Sequence, residues 1–455
     1  MFCLSQSIAQ SDPYLQELVE KTKNASTLAM LILAALQLGR VVAVKVVEEI
    51  LNERGQAPTK WPMCAKCGTK LESKGLGSRE MLTLIGLIKW WRRRGGCPQG
   101  CKIGQVAPLD EELGLTAYQK TSLEVKWLAC ALAVFVPFEI ASALLGLLTG
   151  VKVCSKSIWG WVQESGHLAM EQLNAQLEEL EQGILPAEEA LAAGTKVLPL
   201  LIGADGVMAP FRPEAGTPQG KTIWREVKVG VLARLGERVT KAGKRVPHLT
   251  QRRLVEVLGD VDAFSARLWL ASVQQGVCSS RQVVWLSDGG RGFWRLFDER
   301  FAKYATGVLD FYHAAQNLWK GAKVWLDGRT QRSRNWFTKA RRRLRRGQTN
   351  KVLADIEAAL ALEGLPPSAH QSLNNLYNYL DKHRDHLDYA KFKELGLPIG
   401  SGIVESACKW LIQQRFKGVG MRWSEDGFNH LLHLRLAWVV NGRFDDLFPL
   451  AAPPT

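Results

Sequence analysis

Two apolar runs in the sequence each end in an aspartate followed by glycine. Residues 197–211 read VLPLLIGADGVMAPF and contain Asp205, and residues 281–294 read RQVVWLSDGGRGFW and contain Asp288. Short apolar runs of this kind are typical of strands buried on both faces. A buried ionised carboxylate needs a positive partner, and hard divalent cations such as Mg²⁺ prefer carboxylate oxygens. The pattern predicts two metal-binding aspartates at strand ends, although each could also be an ordinary turn aspartate.

A third acidic residue, Glu405, lies in LPIGSGIVESACKWLIQQRFKG, residues 397–418. The spacing predicts a helix with Ser401 as its N-cap. Its buried face would be formed by Val404, Cys408, Leu411 and Ile412. Two aspartates and one glutamate could together hold two divalent metal ions, which clamp the attacking and leaving oxygens of a phosphoryl displacement. The stretch between Asp288 and Glu405 is long enough to contain an inserted domain.

The composition favours a large protein with a polyanionic partner. The chain has 455 residues, 46% of them apolar, and a formal charge of +15 from 59 basic and 44 acidic residues. Such a charge favours nucleic acid or a membrane surface as the partner. The most apolar run, residues 28–39, is shorter than the roughly 20 residues of a spanning helix, which predicts a buried helix and no membrane partner. The N-terminus lacks a signal-peptide pattern, so we expect a cytoplasmic, nucleoid-associated protein.

Four of the nine cysteines occur as two closely spaced pairs. Cys64 and Cys67 form a C-x-x-C-G knuckle, and Cys97 and Cys101 form the second pair. Paired thiolates of this kind bind Zn²⁺ tetrahedrally in structural sites. We therefore expect a structural zinc ion in a ribbon-like segment, while reduced buried cysteines without a metal remain the alternative.

A helix-turn-helix pattern follows the cysteines. One helix is predicted over residues 137–148, a turn contains Gly150, and a second helix is predicted over residues 155–164. Lys156 would lie at the start of the second helix, where it could contact DNA. Plain helical packing fits this pattern equally well.

The central part of the chain alternates predicted strands and helices, which indicates a mixed sheet with helices on its faces. Residues 328–395 are instead helical and basic. This stretch contains five arginines that could contact phosphates or simply form a solvated face: Arg341, Arg342, Arg343, Arg345 and Arg346. Near the predicted Glu405 helix, four further candidates for DNA contact are Arg415, Lys417, Arg422 and Trp423. Core packing is the favoured interpretation for Trp423.

The acidic motifs resemble those of DDE transposases of bacterial insertion sequences. The matching segments are GADG with Asp205, LSDGGRGFW with Asp288, LDFYHAAQNLW with Asp310 and His313, and GSGIVESACKWLIQQRFKGVGMRW with Glu405. The sequence is most similar to the ISKra-type group and more distantly to Mutator-like transposases. The resemblance covers residues 197–446, roughly.

The resemblance implies a multidomain α+β protein. Its catalytic core would be an RNase H-like mixed α/β domain with an all-helical insertion before Glu405, preceded by the zinc-ribbon and helix-turn-helix region. Asp205, Asp288 and Glu405 would bind two Mg²⁺ or Mn²⁺ ions and catalyse cleavage of double-stranded DNA at the element ends and strand transfer into target DNA. His313 is similar to the histidine of the Mutator-like signature and would support this site. The active form is expected to be a homo-oligomer, a dimer or larger, on DNA.

The domain prediction has six segments. They are an N-terminal helical segment (1–58), a zinc-ribbon-like segment (59–104), a helical DNA-binding region with the helix-turn-helix (105–194), the first part of the core (195–327), the basic helical insertion (328–395), and the last part of the core with the catalytic glutamate and a C-terminal helix (396–455).

Two other functions are compatible with the sequence. The first is a zinc-ribbon and helix-turn-helix regulator whose core is catalytically silent, which would leave three matched carboxylates unexplained. The second is a metal-dependent DNA nuclease that cuts without joining strands.

Overall fold

The computed structural model describes residues 12–57, 60–213, 221–243, 245–439 and 443–449. The predicted start of the N-terminal segment and the last residues of the chain lie outside these ranges. The chain divides into two compact units, one formed by Met1–Val162 with Asp445–Thr455 and the other by Gln163–Phe444. The finer division into six segments stays a prediction.

The first unit is mainly helical and contains one β-hairpin. Its elements are α1 (Pro13–Lys23), α2 (Leu28–Gln56), β1 (Glu72–Thr83), β2 (Gly86–Gly96), α3 (Pro108–Glu112), α4 (Leu123–Ala133) and α5 (Phe138–Thr149), and α6 (Ser155–Glu181) begins in it. The strands β1 and β2 are antiparallel. Gly150 has a φ of +75° and ends α5, which is the usual role of glycine after a helix. The helix that follows, α6, is much longer than the predicted residues 155–164.

The prediction of a buried helix at residues 28–39 is wrong. In the first half of α2, Leu28, Leu33 and Leu36 are 72%, 67% and 53% exposed. The second half packs on the hairpin, where Leu51 joins a buried cluster with Trp90. The sequence pattern correctly predicted a helix here, but it could not show which other segments pack against that helix. Among the helices of the described ranges, α2 alone is long and apolar enough to cross a membrane, by length and composition.

The second unit is built on a five-stranded mixed sheet. Its strands are β3 (Leu200–Phe211), β4 (Ile223–Val239), β5 (Arg245–Leu258), β6 (Val283–Ser287) and β7 (Ala305–Leu309), in the order β5-β4-β3-β6-β7. Strand β4 pairs antiparallel to both β3 and β5, whereas β6 pairs parallel to both β3 and β7. The predicted mixed sheet is therefore present, and the chain is a mixed α/β protein of more than one unit.

Helices cover this sheet and fill the region before Glu405. They are α7 (Ala193–Lys196), α8 (Val261–Gln274), α9 (Arg291–Leu296), α10 (Phe311–Trp325), α11 (Gln331–Arg345), α12 (Thr349–Leu360), α13 (Pro367–Lys382), α14 (Tyr389–Glu394), α15 (Gly402–Cys408), α16 (Gln414–Phe416), α17 (Glu425–Val439) and α18 (Arg443–Asp446). A π-helical turn, Phe297–Phe301, extends α9, and another, Lys409–Gln413, joins α15 to α16. A 3₁₀ turn, Arg384–His386, precedes α14.

The helices α11 to α14 share one hydrophobic core with the sheet. Leu286 of β6 belongs to the same buried cluster as Leu344, Leu373 and Tyr389. The Tyr389 hydroxyl also donates a hydrogen bond of 3.0 Å to the carbonyl of Leu309, the last residue of β7. The helices α11 to α14 are therefore packed against β6 and β7.

Candidate active site

Asp205 and Asp288 come directly after the last paired residues of two neighbouring parallel strands. The pairing of β3 with β6 ends at Ala204 and Ser287, and adjacent strands lie about 4.8 Å apart. The prediction that Asp205 ends its strand is wrong, because β3 continues to Phe211 and stays paired with β4 over that length. A backbone N–H steadies each carboxylate, that of Gly206 on Asp205 at 2.7 Å and that of Gly290 on Asp288 at 2.9 Å.

Glu405 approaches the two aspartates from α15, which packs on β3. A Cβ built on Gly203 would lie 2.4 Å from Cγ2 of Val404, so the helix and the strand are in close contact at this glycine. Cys408, one turn after Glu405, has its Sγ 4.0 Å from Oδ2 of Asp205. The predicted buried face is confirmed, since Val404, Cys408, Leu411 and Ile412 are all buried, while Glu405 is exposed. Ser401 occupies the N-cap position, but its side chain makes no capping hydrogen bond.

Substituting Gly203→Ala is expected to destabilise the protein by about 1–3 kcal/mol, the usual cost of overpacking. The added methyl group would overlap Val404 and push α15 away from β3. Urea unfolding would measure the loss. In Gly203→Ala/Val404→Ala the total cost should be smaller than the sum of the two single costs, and simple additivity would contradict the proposed contact. Gly39→Ala is the matched control, since a Cβ there meets nothing within 4 Å.

A buried carboxylate, Asp310, connects the end of β7 to the segment that precedes α15. Its Oδ1 accepts hydrogen bonds from the backbone N–H groups of Tyr312 at 2.6 Å and His313 at 2.8 Å, which caps α10. Its Oδ2 accepts one from the N–H of Ser401 at 2.5 Å. His313 Nδ1 lies 3.6 Å from Asp310 Oδ1. Asp310 therefore positions both His313 and the start of the Glu405 helix.

The surroundings of Asp310 shift its pKa. Burial by itself would raise the pKa, but hydrogen bonds from His313 and Ser401 outweigh it and lower the pKa to about 2. The ordinary aspartate value is 3.8. Because the folded-state pKa is depressed, the ionised carboxylate stabilises the fold above about pH 4, and this contribution is lost as the pH falls towards 2.

We accordingly expect Asp310→Asn to lower the free energy of unfolding by about 2 kcal/mol at pH 7, from the size of this shift. The difference from the wild type should shrink as the pH falls below 4. Urea unfolding of both proteins at pH 7 and at pH 3 would test it. An equal difference at the two pH values would contradict the assigned role of the carboxylate charge.

The acidic residues and His313 act on one another electrostatically. Burial, reinforced by the charges of Asp288 and Glu405, raises the pKa of Asp205 to about 6, although the Gly206 N–H and His313 oppose the shift. Asp310 raises the pKa of His313, with a smaller contribution from Asp288 and Asp205. These groups therefore lie within electrostatic reach of one another.

The three carboxylates do not form a closed metal-ligand cluster. Over the described ranges, the only group of three or more candidate ligands whose donor atoms all lie within 4.8 Å of one another is a set of four cysteines. Glu405 is exposed beside the aspartate pair, so a metal ion bound by all three would need its side chain to turn inward.

Two further side chains at this site could not be identified from sequence. Glu226 and Lys228 of β4 line a cavity together with Asp205 and Asp288. Glu226 and Lys228 alternate with Val227 and Val229, which predicts a strand with one polar face. Only the pairing of β4 with β3 shows that these polar residues lie next to the aspartates.

The four-cysteine group lies in the first unit and comprises Cys64, Cys67, Cys97 and Cys101, as predicted. Cys64 and Cys97 are each 3% exposed, and the Sγ atoms of Cys67 and Cys97 are 3.4 Å apart. Gly68 follows the first pair with a φ of +70° and donates its N–H to the carbonyl of Cys64 at 2.9 Å. Hydrogen bonds, chiefly from Thr69, lower the pKa of Cys67 to about 6. This cluster could hold a metal ion such as Zn²⁺.

The predicted DNA-contacting residues of the two helical regions differ in exposure. Lys156 is exposed in the first turn of α6. In α11 and the residue after it, Arg342, Arg345 and Arg346 are exposed, whereas Arg341 and Arg343 are partly buried. Arg343 forms an ion pair with Asp355. Arg341 and Arg345 lie over the ring of Phe311, at 5.5 and 5.9 Å from its centre, so this basic run borders the end of β7.

Of the candidates after α15, Arg415 is buried rather than exposed. It is 1% exposed, with its guanidinium 5.5 Å from the Trp423 ring centre, so it cannot reach a DNA phosphate in this arrangement. Trp423 donates its indole N–H to the carbonyl of Phe416 at 2.9 Å, which confirms its structural packing. Lys417 is half-buried, 5.6 Å from the ring of Trp224. Arg422 is exposed and remains available for DNA.

Comparison with known proteins finds a distant sequence relative and weak structural similarity to solved structures. No protein-family profile matches the sequence. The UPF0236 protein in vanSb 3′region of Streptococcus gallolyticus is 26% identical over 379 residues, which cover 81% of this chain and 74% of the relative. The Drosophila P element transposase strand transfer complex is similar with a TM-score of 0.26 and 10% identity, over 75% of this chain and 83% of that chain.

Proposed function

We propose that this protein is a DDE transposase of the ISKra type, which cleaves DNA at the ends of an insertion sequence and joins them to target DNA. The observation that carries the proposal is that segments far apart in the chain place the three acidic residues around one end of the β3–β6 strand pair. Asp205 and Asp288 follow the last paired residues of β3 and β6, and α15 brings Glu405 to the same strand at Gly203. The mutual effects on the pKa of Asp205 support a common site.

The topology supports an RNase H-like catalytic core. Three consecutive antiparallel strands are followed by two parallel strands on the other side of β3. An all-helical insertion, α11 to α14, separates this sheet from the helix with Glu405. Both features are those implied by the motif resemblance.

The three carboxylates provide the hard oxygen ligands that Mg²⁺ or Mn²⁺ prefers. Two such ions, when bound, would activate a water or the 3′-OH of the element and stabilise the leaving 3′-oxygen. Asp205 and Asp288 would hold the ions at the sheet, and Glu405 would complete their ligation from α15. Asp310 would position His313 beside these groups, where the imidazole could contact a phosphate or transfer a proton.

The remaining parts of the protein would bind and position DNA. The cysteine cluster would hold structural Zn²⁺, and Lys156 would contact DNA from the helix-turn-helix. The exposed arginines of the insertion and Arg422 would contact phosphates near the acidic residues. The protein would act as a homo-oligomer in the cytoplasm, on chromosomal DNA.

The proposal is tested with purified protein, Mg²⁺ and DNA carrying the ends of the element, by mapping the cut and joined strands. Cleavage at the ends followed by joining to a target is the expected result. Cleaved ends that are never joined would favour a nuclease, and DNA binding without cleavage in Mg²⁺ or Mn²⁺ would favour a regulator with a silent core.

A further inference from the structure

A cavity of about 290 Å³ opens beside the two aspartates. Successive side chains of a strand point to opposite faces of the sheet, so each residue can be assigned to the face covered by α15 or to the face covered by α8. Gly203 faces α15 through Val404, whereas Gly230 faces Phe264 of α8. Lys228 pairs with Gly206, and both lie on the α8 side. The cavity therefore extends from the aspartates towards α8.

Three glycines keep this cavity open. A Cβ on Gly206 would lie 2.0 Å from Oε1 of Glu226, and one on Gly290 would lie 2.9 Å from Oδ1 of Asp288. A Cβ on Gly292 would lie 2.6 Å from a methyl group of Val261. A side chain at any of these positions would collide with the lining of the cavity or fill part of it.

The cation of this cavity is Lys228. Its side chain is only 12% exposed, and its Nζ lies 5.5 Å from the centre of the Phe293 ring. Its ion-pair partner is Glu226, at 2.5 Å, whose side chain is 45% exposed. Because Glu226 lies at the surface, it can turn into water and release the ammonium group to another anion, whereas Lys228 cannot leave the cavity as easily.

We propose that this cavity binds a phosphodiester of the DNA strand, next to the one that the three carboxylates would hold, with Lys228 as its counter-ion. This inference rests on the proposed function and names a substrate contact within it. A strand crossing the sheet edge at Asp205 and Asp288 would continue over Gly206 and Gly290 towards Lys228. The small glycine backbone would permit the close approach, and the ammonium group would neutralise the phosphate charge.

The test measures DNA binding by the full-length protein in Ca²⁺, so that its result does not depend on strand cleavage. The probe is a labelled duplex carrying the element end, titrated at increasing salt concentrations. Lys228→Met should weaken binding and reduce the salt slope by about one, the effect of losing one phosphate contact. Glu226→Gln should tighten binding, because it removes the competing anion, and Lys228→Arg should restore the salt slope.

A second measurement locates the phosphate. A neutral methylphosphonate placed at the phosphate next to the cleavage point should weaken binding of the wild type but have little effect on Lys228→Met. Lys303→Met is the matched control, because Lys303 also lies over an aromatic ring, 4.8 Å from that of Tyr304, but is exposed and does not line the cavity.

The possible outcomes separate this inference from the proposed function. If a folded Lys228→Met binds with the wild-type affinity and salt slope while the wild type cleaves DNA, the cavity is not a phosphate site and the transposase proposal stands. If Glu226→Gln weakens binding as much as Lys228→Met, the pair is structural and the inference is overturned. A wild type that binds no DNA would overturn both.

Discussion

Replacing Asp205 or Asp288 by asparagine, or Glu405 by glutamine, is expected to reduce DNA cleavage and joining by at least about a hundredfold. Stabilisation by a metal ion is worth several kcal/mol, and each 1.36 kcal/mol changes a rate tenfold. An amide keeps the size of each side chain but removes the charge that ligates a divalent cation. DNA binding in Ca²⁺ should change little, because the basic residues that would hold the backbone lie elsewhere.

The design of this experiment separates chemistry from folding. Asp298→Asn makes the same chemical change at an exposed position outside the site and should retain wild-type activity. Gel assays of end cleavage and target joining would be compared with binding isotherms for each variant. A variant that keeps near-full activity would remove its residue from the acidic triad, and a general loss of DNA binding would indicate that the substitution had disturbed the fold instead.

Substituting Cys64→Ser or Cys97→Ser is expected to abolish stoichiometric zinc and to weaken recognition of the element ends by more than tenfold. Both cysteines are buried in the cluster, and a structural zinc site contributes its binding energy to folding. The first unit carries the cysteines, whereas Asp205, Asp288 and Glu405 belong to the second. End recognition should therefore suffer more than strand chemistry on nicked ends supplied at saturating concentration.

Zinc analysis of purified protein and binding to end and non-end duplexes would measure these effects. Cys278→Ser is the control, since Cys278 is exposed and lies outside the cluster. A chelator should reproduce the effect in the wild type. Full zinc content in the Cys64→Ser protein would exclude the assigned cluster, and an equal loss of activity on pre-bound nicked ends would contradict the proposed division between recognition and chemistry.

The features that could be predicted from sequence were those encoded by local patterns. The apolar runs before Asp205 and Asp288 gave buried strands, and the helical spacing around Glu405 gave the correct buried face. The paired cysteines also came together as expected. The strands and the helix could be predicted because their patterns involve residues only a few positions apart, and the apolar face of each pattern is the face that becomes buried.

The features that could not be predicted depend on contacts between distant segments. The first half of α2 is exposed because few residues of the other described segments pack against it. Arg415 is buried because it packs against Trp423. The cavity at Lys228 appears only once β4 is paired beside β3. The Asp310 motif was recognised, but its hydrogen bond to the N–H of Ser401 joins residues far apart in the chain.

The order of segments along the chain has a consequence for synthesis. All five strands of the sheet end by Leu309, yet the helix that carries Glu405 begins only at Gly402, after the five helices α10 to α14. On the ribosome, the strands that carry Asp205 and precede Asp288 are therefore synthesised before the third acidic residue, Glu405. In the proposed transposase, such a chain would lack one of its three acidic ligands, so strand cleavage would wait until α15 has been translated and packed on β3.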